Sequence, residues 1–254
     1  MKLSQEQIAQ FHEKGYIVVE DLLSVDQVEV LRQRVADIAE GRTNYPEECI
    51  EYEPGANDQV PPIDRLRKLN SCAQHDQVFL DHAHHTAILD VAESLLGPDL
   101  KLYGDQMFLK PPGGMEKTYH QDSPYFTIEP MDLVSSWVAM DDVTVENGCL
   151  WVVPGSHKGG ALDHSEVWMV GERQDMTIRE TAFDRSVEEP IVMKAGSCSF
   201  HHSLLLHRSG PNKTPHRRRG LATHYMSAQS RWTGALEDKP DYLLLRGREY
   251  SGCV

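Results

Sequence analysis

The sequence predicts an α+β fold that is mainly β, with helices packed against the outside of a β-sandwich or β-barrel. Two serines, Ser4 and Ser24, each stand three residues before a glutamine, which is the pattern of a capping box that opens a helix. From about residue 98 the chain changes to short β-type runs separated by glycine, proline and asparagine. Helical segments followed by many strands are typical of this fold class.

The elements of the first part follow from residue spacing and from end signals. A short helix precedes a β-type run over residues 16–23. Apolar residues after Ser24 recur at helical spacing, and Gly41 suits the end of that helix. The same spacing predicts a further helix over about residues 80–96.

The second part supplies the core of the expected domain. Its β-type runs are KLYGDQMFLK, LVSSWVAMDDV, GCLWVVPGSH, EPIVMKAGSCSFHHSLLLH and RRGLATHYMSA. We expect a single domain over residues 1–254, with a helical part over about 1–97 and a β core over about 98–230. Residues 42–65 and 158–190 are polar and irregular, and we expect them to form a lid over a binding site.

Charge and cysteine content exclude several classes of protein. The 254 residues carry a formal net charge of −14, which repels nucleic acid and anionic membrane surfaces. No apolar run approaches the roughly 20 residues that span a bilayer. The five cysteines show no CxxC spacing, which fits a reducing compartment. We expect a cytoplasmic protein that binds neither nucleic acid nor membrane, with a monomer as the default oligomeric state.

The stretch TYHQDSPYF places two metal-binding side chains, His120 and Asp122, two positions apart. On a strand, such residues face the same side. An imidazole and a carboxylate form two thirds of a facial triad for non-haem iron, whose third ligand is a distant histidine. The run SFHHSLLLHRSG offers His201, His202 and His207, of which His207 is favoured because it lies where an apolar strand meets a turn. Two later histidines, His216 and His224, are expected at the surface or behind the ligands.

Longer segments carry a resemblance to a known family. They are EQIAQFHEKGYIVVEDLLS, FLKPPGG before HQDSPYF, DLVSSWVAMDDVTVENGCLWVVPGSHKGG and LLLHRSGPNKTPHRRRGLATHY. In these segments the chain resembles the phytanoyl-CoA dioxygenase family of Fe(II)- and 2-oxoglutarate-dependent oxygenases. The resemblance implies a double-stranded β-helix core, a cupin-like jelly roll of two sheets. It also implies that His120, Asp122 and His207 hold the iron.

The resemblance further implies a set of contacts to the cosubstrate 2-oxoglutarate. In the family, an arginine eleven residues after the distal histidine holds the far carboxylate, which points to Arg218. A guanidinium suits this role because it binds a carboxylate through two parallel hydrogen bonds and stays charged. Strand alternation turns its two arginine neighbours away from it. The other residues that match cosubstrate contacts are Ser209, Trp137, Gln106 and Lys68.

We therefore expect a dioxygenase that hydroxylates, or otherwise oxidises, an unactivated C–H bond of a small organic metabolite. The reaction would use Fe(II), 2-oxoglutarate and O₂, release succinate and CO₂, and benefit from ascorbate. The alternative is a jelly-roll metal-binding protein without oxygenase activity, either a zinc hydrolase-like protein or a small-molecule-binding module. Because the chain is acidic and offers no basic cluster suited to the phosphates of CoA, we expect a small hydrophobic or amphipathic substrate.

Overall fold

The computed structural model of the protein describes residues 1–170 and 173–254. The α-helices are α1 (Gln5–Lys14), α2 (Val25–Ala39), α3 (Pro62–Arg65), α4 (Cys72–His75), α5 (Gln77–Ala83) and α6 (Thr86–Leu96). The strands are β1 (Tyr16–Val19), β2 (Ile50–Tyr52), β3 (Leu66–Asn70), β4 (Leu100–Lys110), β5 (Lys117–His120), β6 (Ile128–Glu129), β7 (Leu133–Ala139), β8 (Leu150–Val152), β9 (Glu166–Val170), β10 (Arg173–Thr177), β11 (Glu189–Ile191), β12 (Cys198–His202), β13 (His207–Ser209), β14 (Arg218–Ser227), β15 (Arg231–Trp232) and β16 (Leu244–Arg246). This order of elements confirms the predicted α+β class.

The first two helices begin where the capping boxes predict them. In α1 the backbone N–H of Gln7 donates to Ser4 Oγ, and the N–H of Ser4 donates to the Gln7 side chain at 2.9 Å. The α2 helix repeats this pattern at Ser24. The predicted helix over about 80–96 is confirmed from residue 86 onward as α6, but its predicted start is wrong, because residues 80–83 belong to the separate helix α5. The backbone is extended at His85, which precedes the first turn of α6, and apolar spacing alone does not reveal such a break.

Eight strands form the larger sheet, in the order β1-β12-β7-β14-β4-β3-β2, with β16 also paired to β4. One face of this sheet packs against the helices in the principal hydrophobic core. The core contains Val138, Phe200 and Leu221 from the sheet and Leu31 and Ile88 from the helices. Because side chains alternate along a strand, the residues between these apolar positions face the opposite side of the sheet.

Four strands form the smaller sheet, in the order β11-β8-β13-β5. A second hydrophobic cluster joins the two sheets, with Trp137 and Ala222 from the larger sheet and Val152 and Ile191 from the smaller one. Two short ribbons, β6–β15 and β9–β10, accompany them. The two sheets thus form the jelly-roll arrangement that the resemblance implies.

Strands from outside the predicted β core also enter the larger sheet. The β1, β2 and β3 strands lie within the predicted helical part, and β16 follows residue 230. The boundary near residue 97 therefore separates stretches of sequence rather than packed units, and the single domain over residues 1–254 stays a prediction. Across the described ranges, no helix has the length and apolar character needed to cross a membrane. All five cysteines lie in these ranges and are free thiols.

A cavity of about 340 Å³ lies between the two sheets. Its walls come from β4, β7, β12 and β14 of the larger sheet and from β5, β8 and β13 of the smaller one. Side chains from β3, and from the two segments that the sequence predicts to form a lid, surround its mouth. The fold therefore forms this cavity where residues from distant parts of the chain meet.

Candidate active site

The three predicted metal ligands meet at one end of the cavity. His120 ends β5 and His207 begins β13, and the two lie directly opposite each other in the antiparallel pair, with ring centroids 4.2 Å apart. Asp122 follows β5 in a turn with φ −74° and ψ −23°. The strand geometry assumed for both residues of the motif therefore holds only for His120, and the turn brings in the carboxylate. One donor atom of each residue lies within 4.8 Å of the other two.

Hydrogen bonds behind the two histidines determine which ring nitrogen faces the site. His120 Nδ1 lies 2.8 Å from the carbonyl oxygen of Thr118, and His207 Nδ1 lies 3.0 Å from that of Leu205. A carbonyl oxygen only accepts, so Nδ1 carries the hydrogen in each ring and Nε2 keeps a lone pair. These Nε2 atoms lie 3.8 Å and 3.7 Å from Oδ1 of Asp122. Two imidazole lone pairs and one carboxylate oxygen form a donor set that fits non-haem iron.

The charges of these side chains suit a divalent cation. Burial lowers the pKa of His120 well below its ordinary value, and it also lowers the pKa of His207. Burial by itself would raise the pKa of Asp122, but the imidazoles of His207 and His201 bring that pKa well below its ordinary value. The site therefore places two imidazoles of lowered basicity beside a buried carboxylate, whose negative charge a metal ion would offset.

A buried arginine lies elsewhere in the same cavity. Arg218 begins β14 and is 1% exposed. Its Nη2 donates to the carbonyl oxygen of Gly148 at 3.0 Å, whereas its Nε has no hydrogen-bond partner among the described residues. Within the same ranges Arg218 forms no ion pair, while Arg217 and Arg219 pair with aspartates. Burial lowers the pKa of Arg218 to about 10, so the group is charged at neutral pH. A buried cation with an unused donor fits an anionic ligand.

Ser209 and Lys110 lie next to this arginine. Lys110 ends β4 directly opposite Arg218 in the sheet register. Its Nζ donates to Ser209 Oγ at 2.8 Å and also to the carbonyl oxygen of Gly210. Because Ser209 Oγ accepts this hydrogen bond, its own hydrogen is available to a ligand. The predicted contacts do not include Lys110, although alternation places it on the same strand face as the predicted Gln106.

The remaining predicted contacts also line the cavity. The Trp137 ring lies beside Arg218, with a distance of 5.3 Å from the guanidinium carbon to the ring centroid. Lys68 Nζ lies 3.6 Å from a carboxylate oxygen of Glu51, and burial lowers the pKa of Lys68. Gln106 lines the wall between them. The structure thus brings every predicted metal and cosubstrate residue to one cavity, and their roles stay predictions.

Three buried polar residues surround Asp122. Ser135 Oγ donates to Asp122 Oδ2 at 2.9 Å and lies 2.8 Å from Nδ1 of His224. His201 Nε2 lies 3.5 Å from the same carboxylate oxygen. Sequence reasoning missed Ser135, considered His201 only as a possible ligand, and expected His224 either at the surface or behind the ligands, of which the structure shows the second. Strand alternation offered a signal, because His224 lies three two-residue steps after Arg218 and so faces the same side of β14.

Both predicted lid segments reach the mouth of the cavity. Glu51 and Glu53 come from the first segment, and Gln174 and Asp175 come from the second. Lys117, at the start of β5, pairs with Asp175 at 2.7 Å and so connects the β9–β10 ribbon to the strand that ends at His120. Two segments that are far apart in sequence therefore border the same opening.

Comparison with known proteins identifies the family. The model of the phytanoyl-CoA dioxygenase (PhyH) family matches residues 11–220. The peroxisomal phytanoyl-CoA dioxygenase of Mus musculus is 30% identical over 233 residues, which cover 89% of this chain and 69% of that protein. A probable alpha-ketoglutarate-dependent hypophosphite dioxygenase of Stutzerimonas stutzeri is 27% identical over 229 residues, which cover 89% of this chain and 79% of that protein.

Solved structures share the fold. EctD from S. alaskensis in its apo form matches with a TM-score of 0.76 at 24% identity, over 96% of this chain and 84% of that chain. At this identity the likeness confirms the jelly-roll fold alone. The family match covers most of the sequence, including the region of the triad and of Arg218. The chain belongs to the phytanoyl-CoA dioxygenase family and is an Fe(II)- and 2-oxoglutarate-dependent oxygenase, as its sequence predicts.

Proposed function

We propose that this oxygenase hydroxylates, or otherwise oxidises, an unactivated C–H bond of a small organic metabolite held between the two sheets. His120 Nε2, Asp122 Oδ1 and His207 Nε2 hold the Fe(II). The convergence of these atoms, and the carbonyl contacts that orient both imidazoles, support this assignment. When bound, iron and 2-oxoglutarate supply the oxidation of the substrate by O₂, with release of succinate and CO₂.

Arg218 and Ser209 hold the far carboxylate of 2-oxoglutarate. The unpartnered Nε of Arg218 and the available hydroxyl hydrogen of Ser209 both belong to donors, as a carboxylate requires. Trp137 forms the wall against which the arginine lies, and Gln106 and Lys68 complete the cosubstrate pocket. These residues bind and orient the cosubstrate, while the two sheets exclude water from around it.

One observation carries the proposal: a buried, charged and incompletely bonded arginine shares a cavity with a metal-type triad. Leaving a charge buried without a partner is strongly destabilising. A zinc hydrolase-like protein has no use for Arg218 in this state, and a module that binds an anion at Arg218 has no use for the triad. A dicarboxylate that reaches from the metal to the arginine explains both features, and the oxygenase is therefore favoured over these alternatives.

The volume and lining of the cavity also limit the size and polarity of the substrate. About 340 Å³ must hold the cosubstrate together with the part of the substrate that reacts. Phe108, Tyr125 and Phe126 give the wall apolar surface, whereas Gln174 and Asp175 make the mouth polar. This mixture favours a small amphipathic molecule. We further propose a monomer in the cytoplasm, where the free thiols would stay reduced.

The test is an anaerobic titration of the metal-free protein with Fe(II) and then 2-oxoglutarate, followed by the weak visible absorption band of the iron-bound keto acid. The wild type should develop this band. The Arg218→Ala variant should need about 100-fold more 2-oxoglutarate, since it loses two charge-assisted hydrogen bonds of roughly 1.5 kcal/mol each. The Arg217→Ala variant, which removes an exposed arginine paired with Asp64, serves as the matched control and should titrate like the wild type.

The results of this titration test the oxygenase function and the assignment of Arg218 separately. Iron binding without any band in the wild type would contradict the oxygenase function. A band that Arg218→Ala leaves unchanged would keep the function and exclude Arg218 as the clamp. Release of succinate during a screen of small metabolites would then identify the substrate.

A further inference from the structure

The two oxygens of the Asp122 carboxylate have different surroundings. Oδ1 faces Nε2 of His120 at 3.8 Å and Nε2 of His207 at 3.7 Å. Oδ2 points toward the larger sheet, where it accepts a hydrogen bond from Ser135 Oγ at 2.9 Å. His201 Nε2 lies 3.5 Å from the same Oδ2. The carboxylate therefore presents one oxygen to the metal side and has the other held by the protein.

The hydrogen bond to Oδ2 continues into a second one. Ser135 and His224 are direct neighbours on β7 and β14, and Ser135 Oγ lies 2.8 Å from His224 Nδ1. Ser135 Oγ donates its single hydroxyl hydrogen to Asp122 Oδ2, so it has no hydrogen left to donate to His224. Ser135 Oγ must then accept from His224, which places a hydrogen on Nδ1. The direction of the second hydrogen bond therefore follows from the direction of the first.

We propose that Ser135 and His224 are positioning residues that form a relay behind the metal ligand Asp122. The relay holds Oδ2 away from the metal, so that Asp122 binds through Oδ1 alone and leaves the other metal positions open. It also fixes His224 as the tautomer with hydrogen on Nδ1. This inference rests on the proposed metal site, and it adds two residues that the family resemblance does not assign.

The fixed tautomer has a consequence for what the cavity can bind. Burial lowers the pKa of His224 to about 4, so its ring is neutral and Nε2 carries only a lone pair. In the part of the chain that the structure describes, Nε2 has no hydrogen-bond partner, and the ring lines the cavity beside Phe126, with centroids 5.1 Å apart. Nε2 is therefore an acceptor for a hydroxyl or N–H group of the bound substrate, next to the metal ligand.

The first test measures binding of Co(II), a stand-in for Fe(II), to the metal-free protein by calorimetry. Ser135→Ala should weaken the affinity by about 10–100-fold, the usual effect of removing a partner that orients a ligand. Ser136→Ala is the matched control, because Ser136 is equally buried on the same strand but contacts the backbone of Thr223 rather than Asp122. It should bind Co(II) like the wild type.

A second pair of variants tests the relay if Ser135→Ala does not fold. The amide of His224→Asn reaches about as far as Nδ1 and can still donate to Ser135, whereas His224→Leu cannot. We expect the leucine variant to lose more Co(II) affinity than the asparagine variant, with the melting temperature of each metal-free protein as a check on folding. Wild-type affinity in both Ser135→Ala and His224→Leu would overturn the proposal.

The second test is independent of the metal. A long-range ¹H–¹⁵N spectrum of histidine-labelled, metal-free protein at neutral pH reports the tautomer of each ring, and the signals missing from His224→Asn identify His224. We expect the hydrogen on Nδ1, and a hydrogen on Nε2 would overturn the relay. A wild type that binds no Co(II) would contradict the proposed metal site, whereas a wild type that binds it as tightly as Ser135→Ala would contradict only the positioning role.

Discussion

The guanidinium of Arg218 lies over the indole ring of Trp137, with Cζ 5.3 Å from the ring centroid. The two residues sit on neighbouring strands, β14 and β7, and both side chains face the cavity. The indole can approach this closely because residue 220 of β14 is glycine: a Cβ at Gly220 would lie 2.0 Å from an atom of the Trp137 ring. The absence of one side chain therefore makes room for the wall of the proposed cosubstrate pocket.

Substituting Gly220 should therefore damage both stability and cosubstrate binding. In Gly220→Ala the new methyl group displaces the indole, which should cost about 1–3 kcal/mol of unfolding free energy. It should also weaken 2-oxoglutarate binding by about tenfold, equal to about 1.4 kcal/mol. Chemical denaturation and the anaerobic titration measure the two effects. Gly104→Ala on β4 is the control, since a Cβ there meets nothing within 4 Å; equal losses in both variants would exclude the steric explanation.

The contact between Lys110 and Ser209 should make their contributions to 2-oxoglutarate binding interdependent. We expect Lys110→Met and Ser209→Ala each to weaken binding by about tenfold, because the lysine orients the hydroxyl through the 2.8 Å hydrogen bond. The double variant should lose less than the product of the two single effects. Lys213→Met, at an exposed lysine, provides the control. Strictly additive losses would mean that Lys110 does not act through Ser209.

Metal binding should stabilise the folded protein by mass action. A metal ion at a hundredfold excess over its Kd adds about 2.7 kcal/mol to the unfolding free energy. The rise in melting temperature on adding Co(II) should therefore disappear in His207→Ala, which removes a proposed ligand, and persist in His216→Ala, which removes an exposed histidine. Chelation with EDTA should reverse it. An unchanged rise in His207→Ala would remove His207 from the ligand set.

A buried carboxylate away from the site should make stability depend on pH. Asp105 accepts from the backbone N–H of Ala73 at 2.9 Å and 3.1 Å, and burial raises the pKa of Asp105 to about 7. The folded chain thus holds this proton more tightly than the unfolded chain, whose aspartate titrates near pH 4. The Asp105 carboxyl group therefore contributes its full stabilisation of the folded state below about pH 4. This stabilisation is lost as the pH rises through about 7.

Replacing Asp105 should remove this dependence. Asp105→Asn keeps an acceptor for Ala73 without the charge. From about pH 5 to about pH 8, the melting temperature of the wild type should fall relative to that of the variant. Asp241→Asn, at an exposed position, should follow the wild type. If the melting temperatures of the wild type and Asp105→Asn changed with pH in parallel, Asp105 would not titrate in this range.

Sequence patterns predicted those features that depend on residues close together in the chain. The capping boxes at Ser4 and Ser24 involve residues three positions apart, and both helices begin there. His120 and Asp122 are also close in the sequence, only two positions apart. Arg218 follows His207 by one short connection, and the family resemblance supplied its role. Local spacing and resemblance together were therefore enough to select residues that share one cavity, and their roles as metal ligands and clamp stay predictions.

Sheet register explains what the sequence could not provide. Lys110 lies opposite Arg218, and Ser135 lies opposite His224, only because β14 pairs with β4 on one side and β7 on the other. No single segment contains that order of strands. The same reason applies to β1, whose Tyr16 lies opposite His201 although the two are far apart in the chain. Long-range pairing, rather than local propensity, creates these neighbours.

The proposed site is divided between the two sheets. His120, His207 and Ser209 belong to strands of the smaller sheet, whereas Arg218 and Trp137 belong to the larger one. A molecule that contacts residues of both sheets links the two sheets to each other. Its affinity therefore depends on how the two sheets are positioned relative to one another. The residues proposed to hold the metal and those proposed to select the cosubstrate are therefore only partly the same. Changes at Arg218 or Trp137 can alter which acid is accepted while the proposed ligands His120 and His207 remain in place.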